Sequence, residues 1–386
     1  LHILTNDVMA YESVDKLQNA LGEQVFHYTQ DKKKAAGRAL GTMIEIITYY
    51  LLKTWGFNNS TSIERGLVEY GNNEISHNVE YSLHPIINEF EVTIPNDGNS
   101  ITSTKILKAL ENQIDLSKFE KKTNNLLDKH NILRNACSIA ESAETFLLAS
   151  FKSFGQENHE LYIFEQLQKP YAMFECKRVG VEEGTSKGPQ TIEKAKQGAY
   201  VARTASSLQK IRTDNGEKYG LIYRSDNQPY IKPYTELMEE VIYSSDSELL
   251  KKFILTVGVV SNHGNWFTAE NQNKELKVLS QSYDWLIFLT DFGLAQFIDD
   301  LIFNPSPEFI CVQEAFKNSY TPDKKRNGFT KVKMDLASDA ALLKYFTENQ
   351  NKIEAWFNII TPDNKTIIDL KNEITELRSK NWREIL

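Results

Sequence analysis

Glu175 and Lys177 stand two residues apart in a segment, Tyr171 to Lys177, whose side chains alternate in character. In an extended strand Ala172, Phe174 and Cys176 share one face, and Tyr171, Met173, Glu175 and Lys177 share the other. The first face reads as core, and the second presents a carboxylate and an ammonium about 7 Å apart. That pair suits phosphodiester hydrolysis. The carboxylate would hold a divalent cation, the cation would acidify a bound water and offset charge building on phosphorus, and the lysine would orient that water. Magnesium takes a few oxygen ligands and keeps several waters, so Glu175, the backbone carbonyl of Cys176 and one further acid would suffice. The plainer reading is a solvated strand face with a surface ion pair, worth about 0 to 1 kcal/mol.

The further acid is sought on a partner strand. Two short runs, Glu160 to Leu167 and Tyr171 to Arg178, flank Gln168-Lys169-Pro170, which predicts a hairpin with proline in the connection. Folded so, Glu160 lies opposite Lys177 on the face of Glu175, while Glu165 has the opposite parity and Glu157 precedes the strand. Glu141 or Glu144, expected on a preceding helix, could take its place, and Glu45 is a fourth carboxylate within a helix. Glu160 and Glu45 could equally be solvated side chains.

The elements that must position these groups follow from the apolar pattern. Leu40, Met43, Ile44, Ile47, Tyr50 and Leu51 recur at three- and four-residue spacing, predicting a helix over Lys32 to Trp55, with Gly56 placed to end it. His77 to Val92 has strand content, and Asn96-Asp97-Gly98-Asn99 is a turn. Ser103 to Phe154 reads as two or three helices, the last from Ala136. After a polar loop, Gly180 to Pro189, a helix is expected over Gln190 to Arg212. Lys196, Tyr200, Arg203, Ser207 and Lys210 would line its wet face, opposite Ile192, Ala195, Ala199 and Ala202. Tyr219 to Tyr223 and Phe253 to Val260 are further strands, the second apolar enough to be internal. Tyr283 to Phe303 mixes strand and helix content, Phe309 to Val312 reads as a strand, and helices fill Ala337 to Lys380. The order predicts mixed α and β structure. Two basic stretches, Lys32-Lys33-Lys34 and Lys324 to Lys333, and the segment Ser261 to Trp266, have the chemistry to meet DNA or simply to form solvated turns.

Composition narrows the class. A chain of 386 residues with 41% hydrophobic and 25% charged residues can bury a sizeable core, so wholesale disorder is excluded. The apolar stretches Met43 to Leu52 and Trp285 to Leu289 fall far short of the roughly 20 residues that cross a bilayer, so no membrane partner is expected. His2 to Asp7 lacks the basic-then-apolar order of a secretion signal. Cys137, Cys176 and Cys311 are scattered and odd in number, which disfavours a disulfide framework or a zinc site and fits a reducing, cytoplasmic setting. The net charge of −8 is unlike a generic nucleic-acid binder, yet local clusters of Lys and Arg can line a basic cleft within an acidic exterior.

With these residues in place the chain resembles the PD-(D/E)xK nuclease superfamily, and type II restriction endonucleases in particular. The likeness rests on Glu175-Cys176-Lys177 behind apolar Met173-Phe174, on Glu45 within Gly41-Thr42-Met43-Ile44-Glu45, and on the following helix with Lys194, Gln197 and Tyr200. It covers roughly residues 35–57 and 155–212, with Phe253 to Val260 as a further strand. His159-Glu160 stands where the family has Pro-Asp. The resemblance implies a restriction-endonuclease-like core, a central mixed sheet flanked by helices, in one nuclease domain over 1–386. Its core would span 35–57 and 155–265, with a helical insertion at 103–154 and a C-terminal extension, 266–386, for DNA recognition or dimerisation. It further implies a Mg2+-dependent site, with Mn2+ as substitute, in which Glu160, Glu175 and Cys176 bind metal and Lys177 and Glu45 assist. Lys194, Lys196, Gln197, Tyr200 and Arg203 would touch double-stranded DNA, cut on both strands by a homodimer. A repair or recombination nuclease, and a DNA-binding protein with a decayed site, are the alternatives.

Overall fold

The computed structural model describes residues 14–179, 198–224, 226–262, 274–320 and 327–386. Two helices lead, α1 (Val14–Gln24) and α2 (Lys32–Thr54), followed by strands β1 (Thr61–Glu69), β2 (Asn72–Leu83), β3 (Ile86–Pro95) and β4 (Ile101–Thr102). Helix α3 (Ser103–Leu110) precedes β5 (Glu120–Lys121), β6 (Asn125–Leu127), β7 (Ile132–Arg134), β8 (Cys137–Glu141), β9 (Thr145–Ser153), β10 (Asn158–Leu167) and β11 (Ala172–Val179). Then come helix α4, described over 198–205, and β12 (Gln209–Arg212), β13 (Lys218–Tyr223) and β14 (Pro229–Pro233). The remainder is α5 (Tyr234–Tyr243), α6 (Ser247–Leu250), β15 (Leu255–Asn262), α7 (Lys274–Ser282), β16 (Trp285–Leu289), α8 (Asp291–Ile298), α9 (Ile310–Ser319), β17 (Lys333–Asp335), α10 (Leu336–Glu348), α11 (Gln350–Glu354), β18 (Phe357–Thr361), α12 (Ile367–Ser379) and α13 (Trp382–Ile385).

The principal sheet runs β1-β2-β11-β15-β16-β18. β1, β2 and β11 are antiparallel in turn, β11, β15 and β16 are parallel, and β18 returns antiparallel. Both faces are covered. On one, α2 buries Leu40, Met43, Ile44, Ile47, Tyr50 and Leu51 against Phe174, Cys176, Val257 and Val259. On the other, Met173, Val260 and Leu286 pack with Ala199, Ala202 and Tyr283. The alternation along β11 holds from Ala172 onward, because a central strand sends neighbouring side chains into different cores. Tyr171, however, precedes the strand and packs with Ala172 and Phe174, and the face of Met173 and Glu175, expected to be open, is covered as well. Asp31 caps α2 by accepting from the Lys34 amide at 3.0 Å, and Gly56, at φ +83°, ends it in the left-handed region that glycine enters without a Cβ penalty.

A second sheet, β3-β10-β9-β8-β5, is antiparallel throughout and packs with α3 around Ile106, Leu110, Leu147 and Ile163. It corrects two expectations. The segment from Ala136 to Phe154 is strands β8 and β9, and within 103–154 α3 is the helix among elements otherwise extended. β9 is buried over Thr145 to Ala149 without alternation, so period two is lost and alanine and serine gave it a helical look. The expected hairpin also fails. β10 pairs with β3 and β9 in the second sheet, while β11 pairs with β2 and β15 in the first, so Gln168-Lys169-Pro170 is a crossing between sheets.

The expected helix to Arg212 stops at Ala205, and Gln209 to Arg212 is strand β12. Ile310 begins helix α9 where a strand was expected over Phe309 to Val312. Residues beyond 266 supply β16 and β18 to the principal sheet, and that region is part of the same core. No helix among the described residues is long and apolar enough to cross a membrane.

Candidate functional site

The ladder between β2 and β11 registers Ala172 with Leu83, Met173 with Ser82 and Phe174 with Tyr81, and then ends. The next pair in that register is Glu175 and Glu80. In place of a backbone carbonyl, the Glu175 carboxylate accepts the Glu80 amide, Oε2 to N at 3.0 Å. Its other oxygen meets Lys177 Nζ at 2.5 Å. Glu175 is 6% exposed, whereas the Lys177 side chain stays partly open to solvent. Burial pushes the Glu175 carboxyl above its ordinary range, and Lys177 opposes that rise.

Three more carboxylates meet around Lys331, beside the point where Glu175 binds the Glu80 backbone. Glu80 forms an ion pair with Lys331 Nζ, and that ammonium also lies 3.0 Å from Glu64 Oε1 and 3.4 Å from Glu45 Oε2. Glu64, in β1, carries a φ of +52°, a left-handed conformation that costs a side-chain-bearing residue about 1 kcal/mol or more. Glu45 is placed by α2, which β2 holds in register through the Tyr81 hydroxyl donating to the Glu45 carbonyl at 2.7 Å. Burial raises the Glu45 carboxyl, with Lys331 pulling it down and Glu64 pushing it up. Glycine brings the remaining elements close. A Cβ on Gly198 of α4 would lie 2.9 Å from the Tyr283 hydroxyl and 3.2 Å from both Glu175 Cγ and Lys177 Cε. Gly258, registered with Glu175 across β15, leaves room for the Tyr283 ring, which a Cβ there would approach to 2.8 Å. Tyr283 is 1% exposed, and its hydroxyl has no hydrogen-bond partner among the described residues.

Of the residues singled out in the sequence, Glu45, Glu175 and Lys177 come together here. Glu160 does not. It is exposed on β10 in the second sheet, opposite Thr93 and Ser153, and takes a hydrogen bond from Ser153 Oγ at 3.0 Å. Glu141 lies on β8 with Arg65 and Lys122, and Glu144 is an exposed residue of the following turn, neither on a helix. The Cys176 side chain points to α2 and donates to Thr48 Oγ1 at 3.4 Å, as a core thiol. Tyr200 and Arg203 are exposed on α4 beside a cleft of about 510 Å³, Tyr200 donating to Glu69 at 3.2 Å. Ser207 and Lys210 are committed to structure: Ser207 caps the Lys252 carbonyl, and Lys210 donates to the carbonyls of Ser280 and Tyr283. Lys194, Lys196 and Gln197 lie outside the described residues.

Sequence reasoning missed Glu64, Glu80 and Tyr283, and Lys331, expected within a DNA-meeting or solvated basic turn, is instead buried among carboxylates. Glu80 and Lys331 lie 95 and 156 residues from Glu175 along the chain, beyond any local period. Gly258 was the available signal, since glycine inside an apolar strand marks a close approach.

The donors present are carboxylate oxygens, and a cation already lies where three of them converge. Hard divalent ions prefer oxygen ligands, so the type of these side chains, though not their present spacing, suits such an ion. Among the described residues, no three His, Cys, Asp or Glu side chains stand ready at metal-ligating separation, and Lys331 holds the middle instead. Compared with protein-family models, curated proteins and solved structures, the chain finds no match.

Proposed function

We propose that the chain is a Mg2+-dependent endodeoxyribonuclease of the PD-(D/E)xK type, cutting double-stranded DNA as a type II restriction endonuclease, with Mn2+ able to substitute. The observation that carries this is the Glu175–Lys177 pair on an internal strand, hydrogen-bonded to the backbone of a second acid, Glu80, on the neighbouring strand. Glu45 on the upstream helix and α4 packed directly behind the pair supply the other two parts of the resemblance. The central mixed sheet with helices on both faces is the scaffold a restriction-endonuclease-like core requires.

Glu80 takes the role first sought in Glu160. With Glu175 it would hold the divalent ion, Glu45 supporting, and the ion would acidify a water and stabilise charge on the scissile phosphate. Lys177, partly solvent-facing, is free at its outer side to orient the attacking water and to meet a phosphate oxygen. Tyr283 offers a donor beside Glu175, and the close packing of Gly198 and Gly258 limits how far either group can stray. Tyr200 and Arg203, exposed on α4, would grip the DNA backbone.

The test is incubation of the purified chain with supercoiled plasmid and Mg2+, followed by sequencing of the ends. Discrete products at one short sequence are expected. Glu175→Ala and Lys177→Ala should abolish cleavage while DNA binding persists. Scattered ends would favour a repair or recombination enzyme, and no cleavage with either Mg2+ or Mn2+ would remove the proposal.

A further inference from the structure

Lys331 is the least expected member of the site. It is 8% exposed, on a chain segment far from the strands that carry the acids. Burying an ammonium costs several kcal/mol unless charge and hydrogen bonds compensate, and here the compensation is three carboxylates, Glu45, Glu64 and Glu80. The turn that presents it is strapped at both ends. Phe329 bridges to Met334, the Thr330 amide donates to the Lys333 carbonyl at 2.8 Å, and the Thr330 hydroxyl accepts the Lys333 amide at 3.0 Å. Asn135 clamps the tip, its side chain donating to the Lys331 carbonyl at 3.0 Å and its amide to the Val332 carbonyl at 2.9 Å. The backbone is therefore fixed, and the side chain is the part that can move.

Charge bookkeeping gives this arrangement direction. Glu45, Glu64, Glu80 and Glu175 bring four negative charges, and Lys177 and Lys331 bring two positive ones, leaving a formal −2 within the cluster. One ammonium can reach three acids with its three N–H groups but neutralises only one of their charges, whereas a divalent ion carries twice the charge and accepts oxygen ligands. Lys331 also touches Glu80, so the ammonium and such an ion would compete for the same carboxylate.

We propose that Lys331 is a built-in place-holder: its ammonium holds the acids together before the divalent ion binds, and it swings out when the ion arrives. This rests on the metal-dependent reading of the site. A long, flexible side chain on a fixed turn suits that role, because it can vacate the centre without unfolding the turn. The released ammonium stays tethered near the site, where it can meet the DNA backbone.

Mn2+ binding, measured by the electron paramagnetic resonance signal of the free ion, separates the possibilities without any turnover. Lys331→Met should bind Mn2+ roughly tenfold tighter than the wild-type chain, since no competitor must be displaced, and Lys331→Arg should bind no tighter than wild type. Equal or weaker binding by Lys331→Met would overturn the inference, leaving Lys331 as a partner of the ion. Absence of Mn2+ binding by wild type and variant alike would remove the metal-dependent reading itself, and this inference with it. A second measurement needs no variant: amine labelling of the wild-type chain, read at Lys331 by mass spectrometry, should rise several-fold on replacing chelator with Mn2+. Unchanged labelling would also overturn displacement.

Discussion

At the scale of single residues, the site is made by what is left out as much as by what is present. Gly258 sits beside Glu175, and the space that a methyl group would fill holds the Tyr283 ring instead. Gly258→Ala would place Cβ 2.8 Å from that ring and 2.9 Å from Leu286 Cδ1, so the phenol must move away from Glu175. Overpacking of this kind costs about 1 to 3 kcal/mol, and cleavage should fall about tenfold in kcat at temperatures where the variant is still folded. Tyr283→Phe should produce a similar loss. If the glycine acts through the phenol, the double variant will lose little more than either single one; additive losses would show that Gly258 serves packing alone.

Among elements, the junction between the two sheets turns on His84, immediately after β2. It is fully buried, with Nδ1 at 2.8 Å from the Leu167 carbonyl at the end of β10 and Nε2 at 2.7 Å from Ser82 Oγ. Burial, with Arg65 adding repulsion, lowers its pKa to about 3. In the unfolded chain an ordinary imidazole titrates near pH 6.5, so below that the unfolded state binds the extra proton. Its contribution is therefore present above about pH 6.5 and lost as pH falls from there toward 3, at up to about 1.4 kcal/mol per pH unit. Denaturant melts of the wild-type chain and of His84→Gln across pH 7 to 4 should show the steeper loss in the wild type. Parallel curves would mean the imidazole is not held neutral.

What could be read from the sequence follows the same element scale. β11 was legible because its two faces meet different cores, and α2 because Leu40, Met43, Ile47 and Leu51 form one stripe on a capped helix. The partner acid was not, because β2 and β11 are neighbours in space but separated by the whole second sheet in sequence. Glu160 was the upstream carboxylate that a hairpin would bring to the face of Glu175, and a hairpin was the simplest local closure. The chain instead leaves one sheet at Leu167 and enters the other at Ala172. Short apolar runs such as Phe309 to Val312 fit a strand or the first turn of a helix equally well, and tertiary packing chose α9.

For the whole molecule, a net charge of −8 means that the proposed DNA substrate would have to be met by a local surface. Tyr200 and Arg203 on α4 lie on the side of the sheet where Gly198 touches the Glu175–Lys177 pair. If Arg203 contacts a phosphate, Arg203→Ala should weaken binding to all sequences alike and reduce the slope of log affinity against log salt by about 1. A slope unchanged from wild type would place the DNA elsewhere. Cutting both strands also calls for two such sites, and sedimentation of the DNA complex should report two chains per duplex.

The central claim is that Glu80 on β2, together with Glu175 and Lys177 on β11, forms the hydrolytic centre, and that Glu160 on the other sheet takes no part. The most direct measurement compares Mg2+-dependent plasmid cleavage by the wild-type chain, Glu80→Gln and Glu160→Gln under one set of conditions. If the chain is the proposed nuclease, Glu80→Gln should lose at least about a hundredfold, Glu160→Gln should cleave near the wild-type rate, and both should retain DNA binding. Full activity in Glu80→Gln, or loss confined to Glu160→Gln, would contradict it.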